Sequence, residues 1–282
     1  MTAPIKELNL KGKIAVITGG SGLIGSTMAK ALAVHGVKTA IIGRNLEKTQ
    51  KLADEIKSKY GVDSIGVSAD VLNRSSIEEA KKIINSKLGK IDYLINGAGG
   101  NSATATSKVE KIQEGDKPED TIFGLLEEGF DSTFDLNFKG TLIPTLVFAT
   151  DMLEKKAGGI INISSMNSYR PLTRIAAYSA SKAAINNFTQ WLAVHFAKTG
   201  IRVNAIAPGF LLSDQNRFLL TDEKTGESTP RGRKILNGTP MERYGVAEEM
   251  TGALVFLLSD WAEFITGIVI PVDGGFSAYS GV

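Results

Sequence analysis

From residue 13 onward, short apolar runs rich in β-branched side chains alternate with helical stretches, and this rhythm constrains the chain more than any other feature. Residues 13–18, 37–42, 64–69, 91–96, 159–164, 201–207 and 268–272 read as strands. Most are continuous apolar runs, which suits strands covered on both faces. Between them, 23–35, 45–60 (with Asn45 as N-cap), 75–88, 177–198 and 247–258 read as helices. Helical crossovers require parallel pairing. The expected fold class is therefore α/β: a doubly wound parallel sheet of about seven strands with helices on both faces.

Two segments break the rhythm. Residues 101–128 are polar and rich in Thr, Lys and Glu, and 212–240 form a long polar stretch containing Gly226, Gly232 and Gly238. Loops of that length inside a compact domain are usually functional, which puts both on the expected substrate side. No linker divides the sequence, so 1–282 reads as one domain with two insertions.

Composition removes several functions. The absence of cysteine excludes disulfides and thiol nucleophiles, and two histidines with no ligand spacing leave no metal site to expect. Lys plus Arg at 32 and Asp plus Glu at 30 are mixed along the sequence, so no nucleic-acid partner is expected. The start lacks an apolar signal core, and the apolar runs fall short of the ~20 residues of a membrane span. A cytoplasmic protein with no membrane partner is the expectation.

The chemistry sits in three places. The first βα turn, 18–25, is Thr-Gly-Gly-Ser-Gly-Leu-Ile-Gly. Glycines there let the backbone approach a pyrophosphate, while the following helix aims its N–H groups at it. Tyr178 and Lys182 are four residues apart on a predicted helix and share a face. Ser165 ends a predicted strand thirteen residues before Tyr178.

Taken in order, these elements resemble the short-chain dehydrogenase/reductase family along nearly the whole length. The family's acidic residue after the third strand matches Asp70, beside Val71, and its Asn-Ala-Gly element matches Asn96, Gly97, Ala98 and Gly99. Its helix asparagine matches Asn137, its serine Ser165, its Tyr/Lys pair Tyr178 and Lys182, and its Pro-Gly matches Pro208 and Gly209. The resemblance implies a Rossmann-type fold, a homotetramer, and Asn137, Ser165, Tyr178 and Lys182 as the catalytic set. It also implies Gly19, Ser21, Gly22, Leu23 and Ile24 against the cofactor. One departure is a glycine at Gly22, where the usual spacing would place it at Leu23. That variant, the surroundings of Asn137 and Ser165, the 101–128 insertion and the ending Val272 to Val282 resemble a narrower group within that family, the D-mannonate oxidoreductases (fructuronate reductases).

A secondary alcohol releases hydride only as a base takes its proton, and tyrosine with a pKa near ~10 is a poor base at neutral pH. Lys182 one turn away, together with a nicotinamide's positive charge, is expected to favour the phenolate of Tyr178. Ser165 would hold the substrate oxygen, and Asn137, following the resemblance, would bind a water linking Lys182 to solvent.

The nucleotide is NADP(H) or NAD(H). Gly43 stands where an acidic residue would repel a 2′-phosphate, and Arg44, next to Asn45, suits that phosphate. The residues therefore favour NADP(H), whereas the narrower group implies NAD. A small anionic sugar-acid substrate would need a cation for its carboxylate: Arg170 and Arg174 lie between Ser165 and Tyr178, and Arg217 lies in the second insertion. Each could equally be a surface charge or a subunit ion pair. Asn101, Asn167 and Asn216 could bond hydroxyls. His35 reads as a helix C-terminal cap and His195 as a packing residue. Two other readings stay open: a dehydrogenase of another sugar acid or polyol, of the gluconate 5-dehydrogenase kind, and a non-catalytic dinucleotide sensor.

Overall fold

The computed structural model describes residues 6–212, 217–222 and 225–281. Strands β1 (Ile14–Thr18), β2 (Lys38–Gly43), β3 (Ser64–Ser68), β4 (Tyr93–Asn96), β5 (Gly158–Ile163), β6 (Ile201–Pro208) and β7 (Val269–Val272) form one sheet in the order β3-β2-β1-β4-β5-β6-β7. All six pairings are parallel. The strands come within two residues of the expected ranges.

Helices α1 (Leu23–Val34), α2 (Leu46–Tyr60) and α8 (Thr251–Leu258) cover one face, and α3 (Arg74–Lys87), α4 (Glu127–Lys155) and α5 (Ala176–His195) cover the other. In β1, Ala15 and Ile17 pack into the core that holds Met28, Leu32, Ile56 and Leu254. Ile14 and Val16 face the opposite core, with Ile77, Ile84, Phe148 and Leu192. The central strands are thus covered on both faces, and burial of each large aliphatic side chain stabilises by ~1.5–3 kcal/mol. That two-sided coverage explains why the strands read as apolar runs without alternation.

Local chemistry sets several ends. Asn45 and Asn73 each accept a bond at the start of α2 and α3, from the N–H of Lys48 at 2.9 Å and of Ser76 at 3.1 Å. Gly61 closes α2 at φ +67, where a side chain would be strained. His35 takes the C-cap position of α1, as expected.

Both insertions hold more structure than their composition suggests. Residues 101–128 contain three single 3₁₀ turns, Ala103–Ala105, Pro118–Asp120 and Ile122–Gly124, and end inside the first turn of α4. Within 212–240, the described residues include α6 (Arg217–Leu220) and α7 (Pro230–Asn237). No helix among the described residues is long and apolar enough to cross a membrane.

The strand order reverses between β1 and β4, and in such sheets the crevice beyond the carboxyl ends at the reversal is where ligands bind.

Candidate active site

At that crevice the backbone is packed too closely for side chains. Gly19 has φ +62, and a Cβ on it would lie 2.8 Å from the Gly97 carbonyl oxygen. A Cβ on Gly25 would lie 2.5 Å from the Gly19 carbonyl oxygen. The Thr18 hydroxyl laces the β1 and β4 exits together, accepting from the N–H of Gly97 at 3.1 Å and of Ala98 at 3.3 Å. Gly22 occupies the N-cap of α1, no side chain caps that end, and its first turn holds no acid. The open N–H groups and positive helix end form an anion site. The early glycine is thereby explained: Gly22 is the last residue before the helix and Leu23 the first within it.

The cleft above this turn measures about 800 Å³. Gly19, Ser21, Gly22, Leu23 and Ile24 line one stretch of it. Arg44, Asn45, Asp70 and Val71 line the part over β2 and β3, and Gly97, Ala98, Pro208 and Gly209 the part over β4 and β6. Asn96 is a correction: its side-chain amide donates to Thr145 Oγ1 at 3.0 Å and Asn162 Oδ1 at 2.9 Å, fully buried and away from the cleft. It ties β4 to α4 and β5. Lys48 was not expected and lines the cleft beside Arg44. Neither side chain has a hydrogen-bond or ion-pair partner among the described residues. The Asn45 cap, which starts α2 just before Lys48, was the available signal. The glycine-rich turn, the uncapped α1 end and these cations fit a dinucleotide.

Tyr178, Lys182 and Ser165 meet at the other end of the cleft. Ser165 follows β5, and its Oγ accepts the Asn167 N–H at 3.2 Å. Burial raises the Tyr178 phenol above its ordinary value, and a hydrogen bond with Ser165 partly offsets that. Burial lowers Lys182 to about 8. Its Nζ donates to the Ile163 carbonyl at 2.7 Å and lies 5.6 Å from the centre of the Tyr178 ring. The expected lowering of Tyr178 by Lys182 is therefore corrected for the protein alone: desolvation is the largest influence, and it acts upward.

Asn137 sits in α4 with its amide fully engaged. It donates to the carbonyls of Gly100 and Thr133, both at 2.8 Å, and its Oδ1 accepts the Gly100 N–H at 3.1 Å. The place where Gly99 lacks a Cβ is 2.6 Å from Asn137 Oδ1 and 3.4 Å from Lys182 Nζ. Only the absence of that side chain leaves room between the two groups.

The residues expected around the substrate are mostly committed elsewhere. Asn101 donates to the Ser102 carbonyl at 3.1 Å and to Thr106 Oγ1 at 2.8 Å. Asn167 is buried and its Oδ1 accepts the Leu172 N–H at 3.1 Å. Arg170 Nε donates to the Ser277 carbonyl at 2.8 Å, and Arg174 Nε to the Ser107 carbonyl at 2.6 Å. None of these four lines the cleft. Arg217 opens α6 and is exposed, and Asn216 lies outside the described residues. Leu136, Gly100 and Phe210, which sequence patterns did not single out, line the cleft. His195 stacks on Trp191 with ring centres 4.6 Å apart, in keeping with a packing role.

Comparison with known proteins agrees with this geometry. Residues 13–224 match the sequence profile of the short-chain dehydrogenase family. An uncharacterized oxidoreductase of Bacillus subtilis, UxuB, is 50% identical over 280 residues, covering 99% of each chain. A crystal structure from Haemophilus influenza, provisionally named a D-mannonate oxidoreductase and holding NAD, superposes with a TM-score of 0.93 at 49% identity, covering 97% of this chain and 98% of that one. A gluconate 5-dehydrogenase from Burkholderia cenocepacia, in complex with NADP and tartrate, superposes at 0.78 with 29% identity, covering 95% and 96%.

Proposed function

This protein belongs to the short-chain dehydrogenase family of oxidoreductases, and we propose that it interconverts D-fructuronate and D-mannonate, with reduction of the ketone favoured near neutral pH. The observation that carries the reading is the Ser165, Tyr178 and Lys182 group in the cleft, with a phenol held above its ordinary pKa. A protonated phenol is an acid ready to protonate the alkoxide that forms when a ketone is reduced. Ser165 Oγ and the Tyr178 hydroxyl, both lining the cleft, would hold the substrate oxygen between them. Lys182, near its own midpoint at about 8, can return a proton to Tyr178 after turnover. Asn137 holds the backbone of Gly100 at the cleft wall.

A nicotinamide dinucleotide, when bound, supplies the hydride. The N–H groups at the α1 end would hold its pyrophosphate, with Arg44, Asn45 and Lys48 at the adenosine end and Tyr178 and Lys182 at the other. The NAD in the 49%-identical structure supports NAD(H). Arg44 and Lys48, unpaired beside Gly43, support NADP(H) as well, since a 2′-phosphate would meet two cations and no carboxylate at the end of β2. The sugar-acid assignment draws support from the same neighbour's provisional name. A gluconate-type substrate is the second reading, favoured by the gluconate 5-dehydrogenase neighbour.

The test is a matrix of D-fructuronate, 5-ketogluconate and neutral ketoses against NADH and NADPH, followed by absorbance. Fructuronate should give the highest kcat/KM. Faster turnover of 5-ketogluconate transfers the assignment to the second reading, and a lack of turnover on all of them favours a dinucleotide sensor. The homotetramer has support in exposed Leu146 and Leu153 on α4 and Trp191 and Val194 on α5. A monomer in sedimentation velocity at micromolar concentration would remove it.

A further inference from the structure

The 101–128 insertion is fastened to the catalytic residues at two separate points. At its root, Asn137 grips Gly100 through both the N–H and the carbonyl. Further along, Ser107 donates its N–H to the Arg174 carbonyl at 2.9 Å, and the Ser107 carbonyl accepts from Arg174 Nε at 2.6 Å. The two residues therefore close a ring, backbone to backbone and backbone to side chain.

Arg174 stands four residues before Tyr178 and has φ +79. A non-glycine residue keeps that left-handed conformation only where its surroundings enforce it. The start of α5 offers nothing local to do so, because its N-cap is Ile175 with no side-chain cap bond. The lead-in to Tyr178 is thus held from outside, by the insertion. Beyond Ser107, Glu110 accepts from Lys234 Nζ on α7 at 2.9 and 3.0 Å, which carries the connection to the second insertion.

We propose that Arg174 is a positioning residue for Tyr178: by clamping Ser107 it makes the 101–128 insertion a strut between Asn137 and the loop that sets the catalytic tyrosine. Its Nε is committed to that clamp, and the residue does not line the cleft. The proposal rests on Tyr178 as the acid but not on which ketone is the substrate.

The experiment compares hydrogen–deuterium exchange and steady-state kinetics of the full-length wild type with Arg174→Gly and Arg174→Lys. Glycine accepts the left-handed backbone without strain, so Arg174→Gly removes the side chain and its clamp without straining the backbone. Exchange should rise together in peptides covering 103–110 and 174–180. On whichever ketone the wild type reduces fastest, kcat should fall on the order of 10- to 100-fold, with KM changed less than about threefold. Arg174→Lys, which keeps a cation but offers a single ammonium, should recover part of both effects and serves if the glycine variant fails to fold. Exchange that rises only around 174, or a large KM increase for acidic substrates with kcat retained, overturns the proposal. Because exchange requires no turnover, failure of the fructuronate assignment leaves this test standing.

Discussion

Lys182 Nζ donates to the Ile163 carbonyl at 2.7 Å while lying 5.6 Å from the centre of the Tyr178 ring. The α5 cation is thereby tied to the last residue of β5, two residues before Ser165. One contact fixes the helix bearing the acid against the strand that delivers Ser165. It also buries an ammonium group, which has consequences for both stability and rate.

Tyr178→Phe removes the acid and leaves the ring. Loss of general acid catalysis should lower kcat by about 10²–10⁴. NADH binding, followed by nicotinamide fluorescence, should change little. In the wild type, reduction needs the phenol protonated, so its rate should hold through neutral pH and fall as pH rises past the phenol's raised value. Oxidation needs the phenolate and should respond in the opposite sense. Parallel pH profiles in the two directions would argue against Tyr178 as the proton donor.

For Lys182, the folded value of about 8 lies below the 10.5 of an unperturbed lysine. Between those values the unfolded protein binds more protons, so stability rises with pH across that window. Below about pH 8 the full penalty is present, roughly 3 kcal/mol at 1.36 kcal/mol per pH unit. Lys182→Met should abolish activity yet lose this slope. Urea midpoints at pH 7 and pH 10 should show the wild type gaining on the variant, and an unchanged gap would refute the burial argument.

Gly25 lies within α1 and cannot take a side chain without moving the Gly19 carbonyl. Gly25→Ala should cost about 1–3 kcal/mol of stability through overpacking and weaken dinucleotide binding as the turn shifts. Gly252, in α8, has nothing within 4 Å of the place a Cβ would take. Gly252→Ala should be neutral or stabilise by up to ~1 kcal/mol through helix propensity. Thermal melts and NADH titrations of the pair check this, and equal behaviour of the two variants would contradict it.

Arg44→Ala combined with Lys48→Ala should weaken NADPH binding by about tenfold or more while moving NADH far less, if the two cations hold a 2′-phosphate. Equal losses for both nucleotides would assign the cations to the shared part of the cofactor instead. Paired fluorescence titrations distinguish the outcomes.

Much of this protein was legible as short-range pattern. The apolar runs report strands covered on both faces, Asn45 marks the start of α2, and the glycine turn and the Tyr178–Lys182 spacing depend on contacts within a few residues. Sterics and periodicity act at that range, so the amino-acid order alone determines most of the elements, though not α4, together with the shared face of the acid and its cation. Partners far apart in sequence were decided by the tertiary structure. Asn96 turns to Asn162, and Arg174 clamps Ser107 across 67 residues instead of facing the cleft. Lys48 reaches the cleft because of how α2 leaves β2. The direction of the Tyr178 shift was also settled there, since desolvation depends on everything packed around a group, and only the folded sheet and helices supply it.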